Sequence, residues 1–415
     1  MSLKLNNKIN NVVILFIFLS LLLSFFNQPP VYPLFVFIVI GFVIVSIVYF
    51  INKNYNILAI QFYSFLIALY FMYSGIILSK MPINEVLDYE FFRHDGNYFI
   101  SFMPLMILPF LRKVDFNINF NKLIFTLITV VSIITFGIII LILINNFSCE
   151  ERCNVCHFLF KAHNAAGGYY MILSLISFFY WKYYKKNKLF LIFFIINFVA
   201  LIMTYSRGSM IGFFLALIYY FLEVNNKNKL KHLLNITIAM TLGLIYYIGY
   251  SLSINDIDIS FYKSGTIMDR VFNLWPRAIQ DFFYSPLFGI GYTRYDDLPY
   301  NFYGIKYVYY INISEYIKHT DAHAHNSFLH ILAETGIIGL VLWILLFRSI
   351  FKYTKKIFVE SKYNYYFIKY GLIAIIFSGF TEHRWTTPAE VLPYTIYLSL
   401  FIILRKSNEK NIIYK

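Results

Sequence analysis

The run LIFTLITVVSIITFGIIILILIN, residues 123–145, decides the class of fold. It carries no charged side chain and is long enough to cross the hydrocarbon core of a bilayer, which takes about 20 apolar residues in a helix. The rest of the chain has the same character, since 59% of its 415 residues are hydrophobic and only 13% are charged. This composition predicts an all-α, polytopic integral membrane protein and excludes an ordinary soluble domain.

Other apolar runs of similar length lie on both sides of this one, and together they predict about twelve transmembrane helices. The runs are 12–26, 31–51, 56–79, 98–111, 123–145, 165–181, 188–204, 208–223, 230–252, 336–351, 364–380 and 388–404. The first and fourth are shorter than a usual span and are expected to extend into flanking polar positions. An even number of spans places both termini on the same side of the membrane.

The distribution of cations predicts which side that is. The connections on the side of the termini are short and rich in lysine and arginine, whereas the opposite connections carry fewer cations although they are longer. The positive-inside rule therefore places both termini in the cytoplasm. Because the cations lie between apolar runs, the net charge of +14 indicates membrane topology and does not indicate a nucleic-acid partner.

This topology divides the chain into three regions. Residues 1–252 form a membrane domain with nine spans, and residues 336–415 form a membrane domain with three. Residues 253–335 lie between these two domains and form a large outer loop, the longest segment outside the apolar runs. We expect this loop to contain amphipathic helices and residues of a functional site.

Arg207 departs from the positive-inside trend. It lies in the sequence Ser206-Arg207-Gly208, at the outer turn between two spans. A charged group close to the bilayer is costly and usually has a partner, and the following glycine allows the backbone to approach a ligand. The pattern favours a functional arginine over an arginine that only anchors the helix in the headgroups.

The outer loop contains a second arginine pattern. Arg270 opens a stretch whose apolar residues recur at helical spacing, which predicts an amphipathic helix on the membrane surface with Arg270 off its apolar stripe. The apolar residues are Val271, Trp275, Ile279 and Phe282. Gly289 and Gly291 then turn the chain. For Arg277 and Arg294 we expect a solvated face or a headgroup contact.

Two histidines and an asparagine precede the tenth span, at His323, His325 and Asn326. Histidine suits proton transfer near neutral pH, so this group is a candidate acid–base site on the outer surface. The alternative is the start of an interfacial helix with Asn326 as its cap. His330 lies in an apolar stretch, which predicts a packing or interfacial role, and Glu334 is expected to face polar partners.

Two further features lie on the outer side. Cys153-Asn-Val-Cys156-His157 reads as a c-type haem site, and Cys149 with His163 would also permit zinc. Because this loop faces an oxidising compartment, we expect one disulfide among the three cysteines and neither haem nor zinc. Near the C-terminus, Arg384 is another outer cation that can join the polar site.

On these residues, the chain resembles the O-antigen ligase and polymerase superfamily of bacterial inner-membrane glycosyltransferases. The first motif is Ser206-Arg207-Gly208. The second runs from Arg270 through Trp275 and includes Pro286, Gly289 and Gly291. The third is His325-Asn326, then nine residues, then Gly336-Ile-Ile-Gly339. The motifs cover roughly residues 190–350.

The resemblance implies a substrate class and a mechanism. The donor would be a glycan on a polyprenyl diphosphate, presented at the periplasmic face of the inner membrane, and the acceptor would be lipid A-core or a second lipid-linked glycan. The transfer would invert the configuration at the sugar and would need no metal and no cofactor.

The resemblance also implies roles for the residues. Arg207 and Arg270 would bind the diphosphate, because a guanidinium stays charged and grips two phosphate oxygens. His325 would take the proton of the acceptor hydroxyl. Further substrate contacts are expected from Ser206, Gly208, His323, Asn326 and Arg384.

Several functions remain open at this stage. A ligase is preferred, an O-antigen or surface polysaccharide polymerase is second, and a protein O-oligosaccharyltransferase is third, because only the acceptor differs among them. An anion or lipid-linked solute transporter would be expected to show repeated halves with charges at the membrane midplane. Here the distinctive polar residues collect at one surface, which favours surface chemistry. A membrane-bound haem protein is the last alternative.

Overall fold

The computed structural model describes residues 57–78, 98–113, 119–144, 163–184, 188–224, 270, 274–292, 294–295, 323–357 and 361–413. Within these ranges the regular structure is helical and contains no strand, so the predicted all-α class is confirmed there. The α-helices are α1 (Ala59–Met72), α2 (Tyr98–Ile107), α3 (Phe120–Ile144), α4 (His163–Tyr183), α5 (Lys188–Met203), α6 (Arg207–Val224), α7 (Trp275–Tyr284), α8 (Ser327–Ile357), α9 (Lys362–Ser378) and α10 (Pro388–Ile413). A π-helical turn extends α1, and a 3₁₀ turn extends α2.

Four stretches of the described chain are long and apolar enough to cross a membrane. They are Ala59–Ile77, Phe120–Ile144, Arg207–Val224 and Ser327–Lys355. Shorter apolar helices occur at Ser101–Arg112, Lys188–Met203 and Glu390–Leu404. These helices agree with a membrane protein, while the count of twelve spans and the large outer loop stay predictions because much of both lies outside the described residues.

The helix α8 is broken at Gly336, and a loop fills the break. Gly336 has φ 63° and ψ −165°, which is not helical. The carbonyl of Ala333 accepts a hydrogen bond of 3.0 Å from the backbone N–H of Ile290, and the carbonyl of Glu334 accepts one of 2.9 Å from Gly291. Buried backbone carbonyls need such partners, so the loop 285–291 is an integral part of the broken helix.

Glycine is required on both sides of this contact. Gly289 also has a positive φ, 76°. A Cβ atom on Gly289 would lie 2.2 Å from the carbonyl carbon of Glu334, and one on Gly336 would lie 2.4 Å from the carbonyl oxygen of Leu287. The glycines of the second and third sequence motifs therefore pack against each other's backbone.

The helix α7 confirms the predicted amphipathic helix but turns its polar face inward. Arg277 and Asp281 are buried, whereas Ile279 and Phe283 are exposed. The Arg277 guanidinium lies over the ring of Tyr295, 5.3 Å from its centroid. The expectation that Arg277 is solvated or bound to headgroups is therefore wrong, because a helix that shows its apolar side outward must pack its polar side against the protein.

Candidate functional site

Glu382 lies at the centre of the polar residues, in the turn between α9 and α10. Its Oε1 is 2.5 Å from Nη2 of Arg270, and its Oε2 is 2.8 Å from Nδ1 of His325. The side chain is buried, at 8% exposure, and one carboxylate joins two of the three residues predicted to be catalytic. In the sequence, the outer cation Arg384 indicates this segment, but no pattern points to Glu382.

The surroundings of Glu382 keep it ionised. Burial by itself would raise its pKa, but the hydrogen bond from His325, the charge of that ring when it is protonated, and the positive charges of Arg384 and Arg270 hold the pKa well below its ordinary value. An ionised carboxylate can only accept hydrogen bonds, so Nδ1 of His325 must donate. In neutral His325 the lone pair is then on Nε2, the nitrogen that can take a proton from a substrate.

The backbone at His325 is strained. Its φ is 45°, in the left-handed region, and the next residue caps α8: Oδ1 of Asn326 accepts hydrogen bonds from the N–H groups of Phe328, at 3.0 Å, and Leu329, at 3.2 Å. Within the described residues, the other non-glycine residue with positive φ is Tyr205, beside Ser206. Strained residues of this kind cluster at functional sites, and here they mark the third and the first motif.

Arg270 uses both ends of its guanidinium fork on one short segment. Nη1 donates to the carbonyl of Thr381 at 2.7 Å, and Nη2 donates to Glu382. The arginine side chain remains 21% exposed. It is therefore fixed in place while part of it still faces solvent, which suits binding of an anion.

The first motif packs against the same segment. Arg207 is half-buried and begins α6. A Cβ atom on Gly208 would lie 2.6 Å from Oγ1 of Thr381 and 3.1 Å from Cγ of Glu382, so only glycine allows this close approach. The turn between α9 and α10 thus meets all three motifs, although it lies outside the stretch in which they occur.

Arg384 is buried and ties distant elements together. Nη2 donates to Oγ of Ser206 at 2.9 Å, and Nη1 donates to the carbonyl of Asn164 at 2.6 Å and to the carboxylate of Glu390. Oγ of Ser206 lies 3.2 Å from Oδ1 of Asn164. These contacts support a positioning role for Arg384 and Ser206, and their predicted contacts with substrate stay predictions.

The rings of four histidines form a row across the site, in the spatial order His325, His323, His383 and His330. The ring centroids of His323 and His325 are 4.1 Å apart, those of His323 and His383 are 5.5 Å apart, and those of His383 and His330 are 4.1 Å apart. His330 and Glu334 form a buried pair with a distance of 3.4 Å between Nε2 and Oε2. His330 therefore packs inside the protein, as its apolar neighbours in the sequence indicate.

A metal ion is the alternative use of these groups. His323, His325 and Glu382 each offer one ligand atom, and these atoms lie within 4.8 Å of one another. However, Oε1 of Glu382 faces the cation Arg270 and Oε2 accepts from His325, so both oxygens are engaged. The arrangement fits a hydrogen-bonded site better than a metal site, and independence from metals stays a prediction.

The cysteine loop cannot be compared with its prediction. Cys149, Cys153 and Cys156 lie outside the described residues, and so does His157. The expected disulfide and the expected absence of haem and zinc stay predictions.

The comparisons with known proteins agree with the resemblance. Residues 192–344, which contain Arg207, Arg270 and His325, match the model of the O-antigen ligase family. A ComP-specific O-oligosaccharyltransferase of Acinetobacter baylyi is 25% identical over 309 residues, covering 69% of this chain and 52% of that protein. The exopolysaccharide production protein ExoQ of Rhizobium meliloti is 29% identical over 143 residues, covering 34% of this chain and 32% of that protein. The chain thus spans about half the length of the first relative, and Glu382 lies beyond the family match.

Proposed function

From the O-antigen ligase match over residues 192–344, we propose that the protein transfers a glycan from a polyprenyl diphosphate to an acceptor hydroxyl. Lipid A-core is the proposed acceptor. The observation that carries the proposal is the Glu382 carboxylate, which holds His325, the proposed base, and Arg270, the proposed phosphate ligand, side by side. A site for this reaction needs both groups within reach of one sugar.

The reaction is a single displacement. The acceptor oxygen forms a bond to the anomeric carbon while its proton passes to Nε2 of His325. The bond between the anomeric carbon and the phosphate oxygen breaks, and the lipid diphosphate leaves with the electron pair. Because the acceptor attacks the face opposite the leaving group, the configuration inverts.

The negative charge that grows on the leaving diphosphate needs a counter-charge. Arg270 is partly exposed, and Arg207 stands at the N-terminus of α6, where the helix dipole favours an anion. Two arginines can stabilise this charge without a metal ion. We therefore propose a metal-independent transfer with no cofactor.

The proposed location is the bacterial inner membrane, with both termini in the cytoplasm and the site at the periplasmic face. Residues 253–335 would then lie over the site between the membrane regions 1–252 and 336–415. The exposed apolar side chains of α3 and α5 would then face membrane lipid. His323 and Asn326 stand beside His325 and are proposed to contact the acceptor.

Transfer to a protein is the second candidate function. It is favoured by the relative named as an O-oligosaccharyltransferase, which aligns over 69% of this chain. Polymerisation of surface polysaccharide is the third, in line with the printed name of the second relative. The same arginines and histidine serve in each case, because only the hydroxyl that attacks is different.

The test is conversion of a lipid-linked glycan by the purified protein with three acceptors in parallel: lipid A-core, a second lipid-linked glycan, and a serine- or threonine-containing protein. We expect product with lipid A-core, formed on the order of 10²–10⁴-fold more slowly by the His325→Ala variant. Product with one of the other acceptors alone would replace the proposed acceptor. If the folded protein consumes no donor with any of the three acceptors, the proposal that it is a transferase is contradicted.

A further inference from the structure

We propose that Glu382 is the positioning residue of this site: its carboxylate sets the orientation and tautomer of His325 and holds Arg270 beside it. This inference rests on the proposed function and assigns a role to a residue beyond the family match. Glu382 is not expected to touch the substrate, because the side chain is buried and both oxygens are engaged.

The geometry fixes Glu382 from several sides. Its backbone carbonyl accepts a hydrogen bond of 3.1 Å from Oγ of Ser327, and the N–H of Ser327 donates to the carbonyl of Gly379 at 2.7 Å. The same Oγ accepts from the N–H of Arg384 at 2.8 Å. The turn that carries Glu382 is therefore tied to the first turn of α8, directly after His325.

His325 needs such a partner. Its side chain is 29% exposed and its backbone is in the left-handed region, so nothing in a regular helix would hold the ring. A hydrogen bond from Nδ1 to a carboxylate selects the tautomer and the ring orientation, as partners of functional histidines commonly do. The cost of the strained backbone is consistent with a conformation that this contact maintains.

The substitution Glu382→Gln gives a sharp test because an amide has one oxygen for two donors. Arginine can only donate, so the amide oxygen is expected to face Arg270. The amide NH₂ group then faces Nδ1 of His325. It can donate a hydrogen bond to Nδ1 only if Nδ1 is unprotonated. This forces the proton onto Nε2 and removes the lone pair that the reaction requires. Glu382→Asp keeps both acceptors on a shorter side chain.

The kinetic experiment is a double-mutant cycle on the folded, purified protein. We expect Glu382→Gln to lower kcat on the order of 10²-fold or more, with partial recovery in Glu382→Asp. In a His325→Ala background the same change should add less than about 3-fold, because residues that act as a unit are not additive. Glu334→Gln, in the other buried glutamate–histidine pair, is the matched control and should stay near wild type. Independent, multiplying losses for Glu382 and His325 would overturn the proposal.

A second readout does not depend on activity. The protein contains nine histidines, and ¹⁵N labelling of histidine with NMR distinguishes protonated from unprotonated ring nitrogens. The His325 signals are assigned by their loss in His325→Gln. We expect protonated Nδ1 and unprotonated Nε2 in neutral wild-type His325, and the reverse in Glu382→Gln. The reverse tautomer in wild type would overturn the proposal. The expected tautomers in a protein that transfers to no acceptor would support the pairing and contradict the proposed function.

Discussion

In the part of the chain that the structure describes, two buried glutamates each meet a histidine, and the two pairs differ in almost every respect. His330 and Glu334 are one helical turn apart in α8, with 3.4 Å between Nε2 and Oε2, and both are almost inaccessible to solvent. His325 and Glu382 come from different elements, with 2.8 Å between Nδ1 and Oε2, and the histidine is partly exposed. A cation, Arg270, shares the carboxylate of Glu382.

The difference separates packing from chemistry. The pair in α8 follows from helical spacing and satisfies polar groups inside the protein. The other pair requires a left-handed residue, a buried carboxylate and two chain segments held together. An arrangement that costs this much and keeps one ring edge open to solvent is expected at a site that acts on a substrate. The following experiments test that distinction, from the largest expected effect to the smallest.

Removal of each histidine gives the largest contrast. His325→Ala should lower the rate of glycan transfer on the order of 10²–10⁴-fold, because it removes the proposed proton acceptor, and Arg207→Ala and Arg270→Ala should fall in the same range. His330→Ala should stay within about 10-fold of wild type once rates are normalised to folded protein. The measurement is initial rate with the lipid-linked donor. Equal losses for the two histidines would remove the distinction between the pairs.

Exchange of arginine for lysine separates the contribution of the positive charge from that of the two-pronged hydrogen bonding at the site of His325 and Glu382. Arg270→Lys keeps the charge but cannot donate to both the Thr381 carbonyl and Glu382 while it binds phosphate. We expect a loss of about 10- to 100-fold, smaller than for Arg270→Ala, and a similar loss for Arg207→Lys. The matched control is Lys369→Arg, far along α9. A lysine variant as active as wild type would show that charge alone suffices.

The substitution Gly336→Ala should disturb the kink in α8, close to the pair of His330 and Glu334. The added Cβ would meet the carbonyl of Leu287 in a residue with positive φ, so we expect a loss of stability of about 1–3 kcal/mol. Gly137→Ala is the control, since no atom lies within 4 Å of its Cβ position. The midpoint of thermal unfolding in detergent measures both. A Gly336 variant as stable as the Gly137 variant would contradict the required kink.

Acid should lower the stability that the ionised Glu382 gives to the folded protein. The pKa of Glu382 is held below its ordinary value of 4.5, so its ionised form stabilises the folded protein above that pH, and this contribution is lost as the pH falls. The stability difference between wild type and Glu382→Gln should therefore be larger at pH 7 than at pH 3.5. Unfolding midpoints of both proteins at the two pH values provide the measurement. A difference that grows on acidification would contradict this assignment.

Chelation should have the smallest effect. If the His325 pair is held by hydrogen bonds, EDTA should leave the transfer rate unchanged within about 2-fold, because the arginines supply the positive charge. Complete loss on chelation, restored by a divalent ion, would show a metal site.

Local patterns made much of this predictable. Apolar runs predicted the membrane helices, Asn326 was identified as a possible cap, and helical spacing placed α7. The predicted resemblance is confirmed over residues 192–344, which match the O-antigen ligase family model. Glu382 was missed because it is 57 residues from His325 and no periodicity connects them. The inward turn of Arg277 was missed because an amphipathic pattern defines two faces but not which one meets the protein.

The length of the first part of the broken helix α8 also sets the orientation of His325. The nine residues from Ser327 to Thr335 form a rigid helical spacer between the capped end, where His325 stands, and the kink, which the loop 285–291 locks in place. One inserted or deleted residue in this spacer would rotate His325 by about 100° around the helix axis, because each residue turns the helix by that angle. The length of the spacer, more than its side chains, therefore sets where the histidine points.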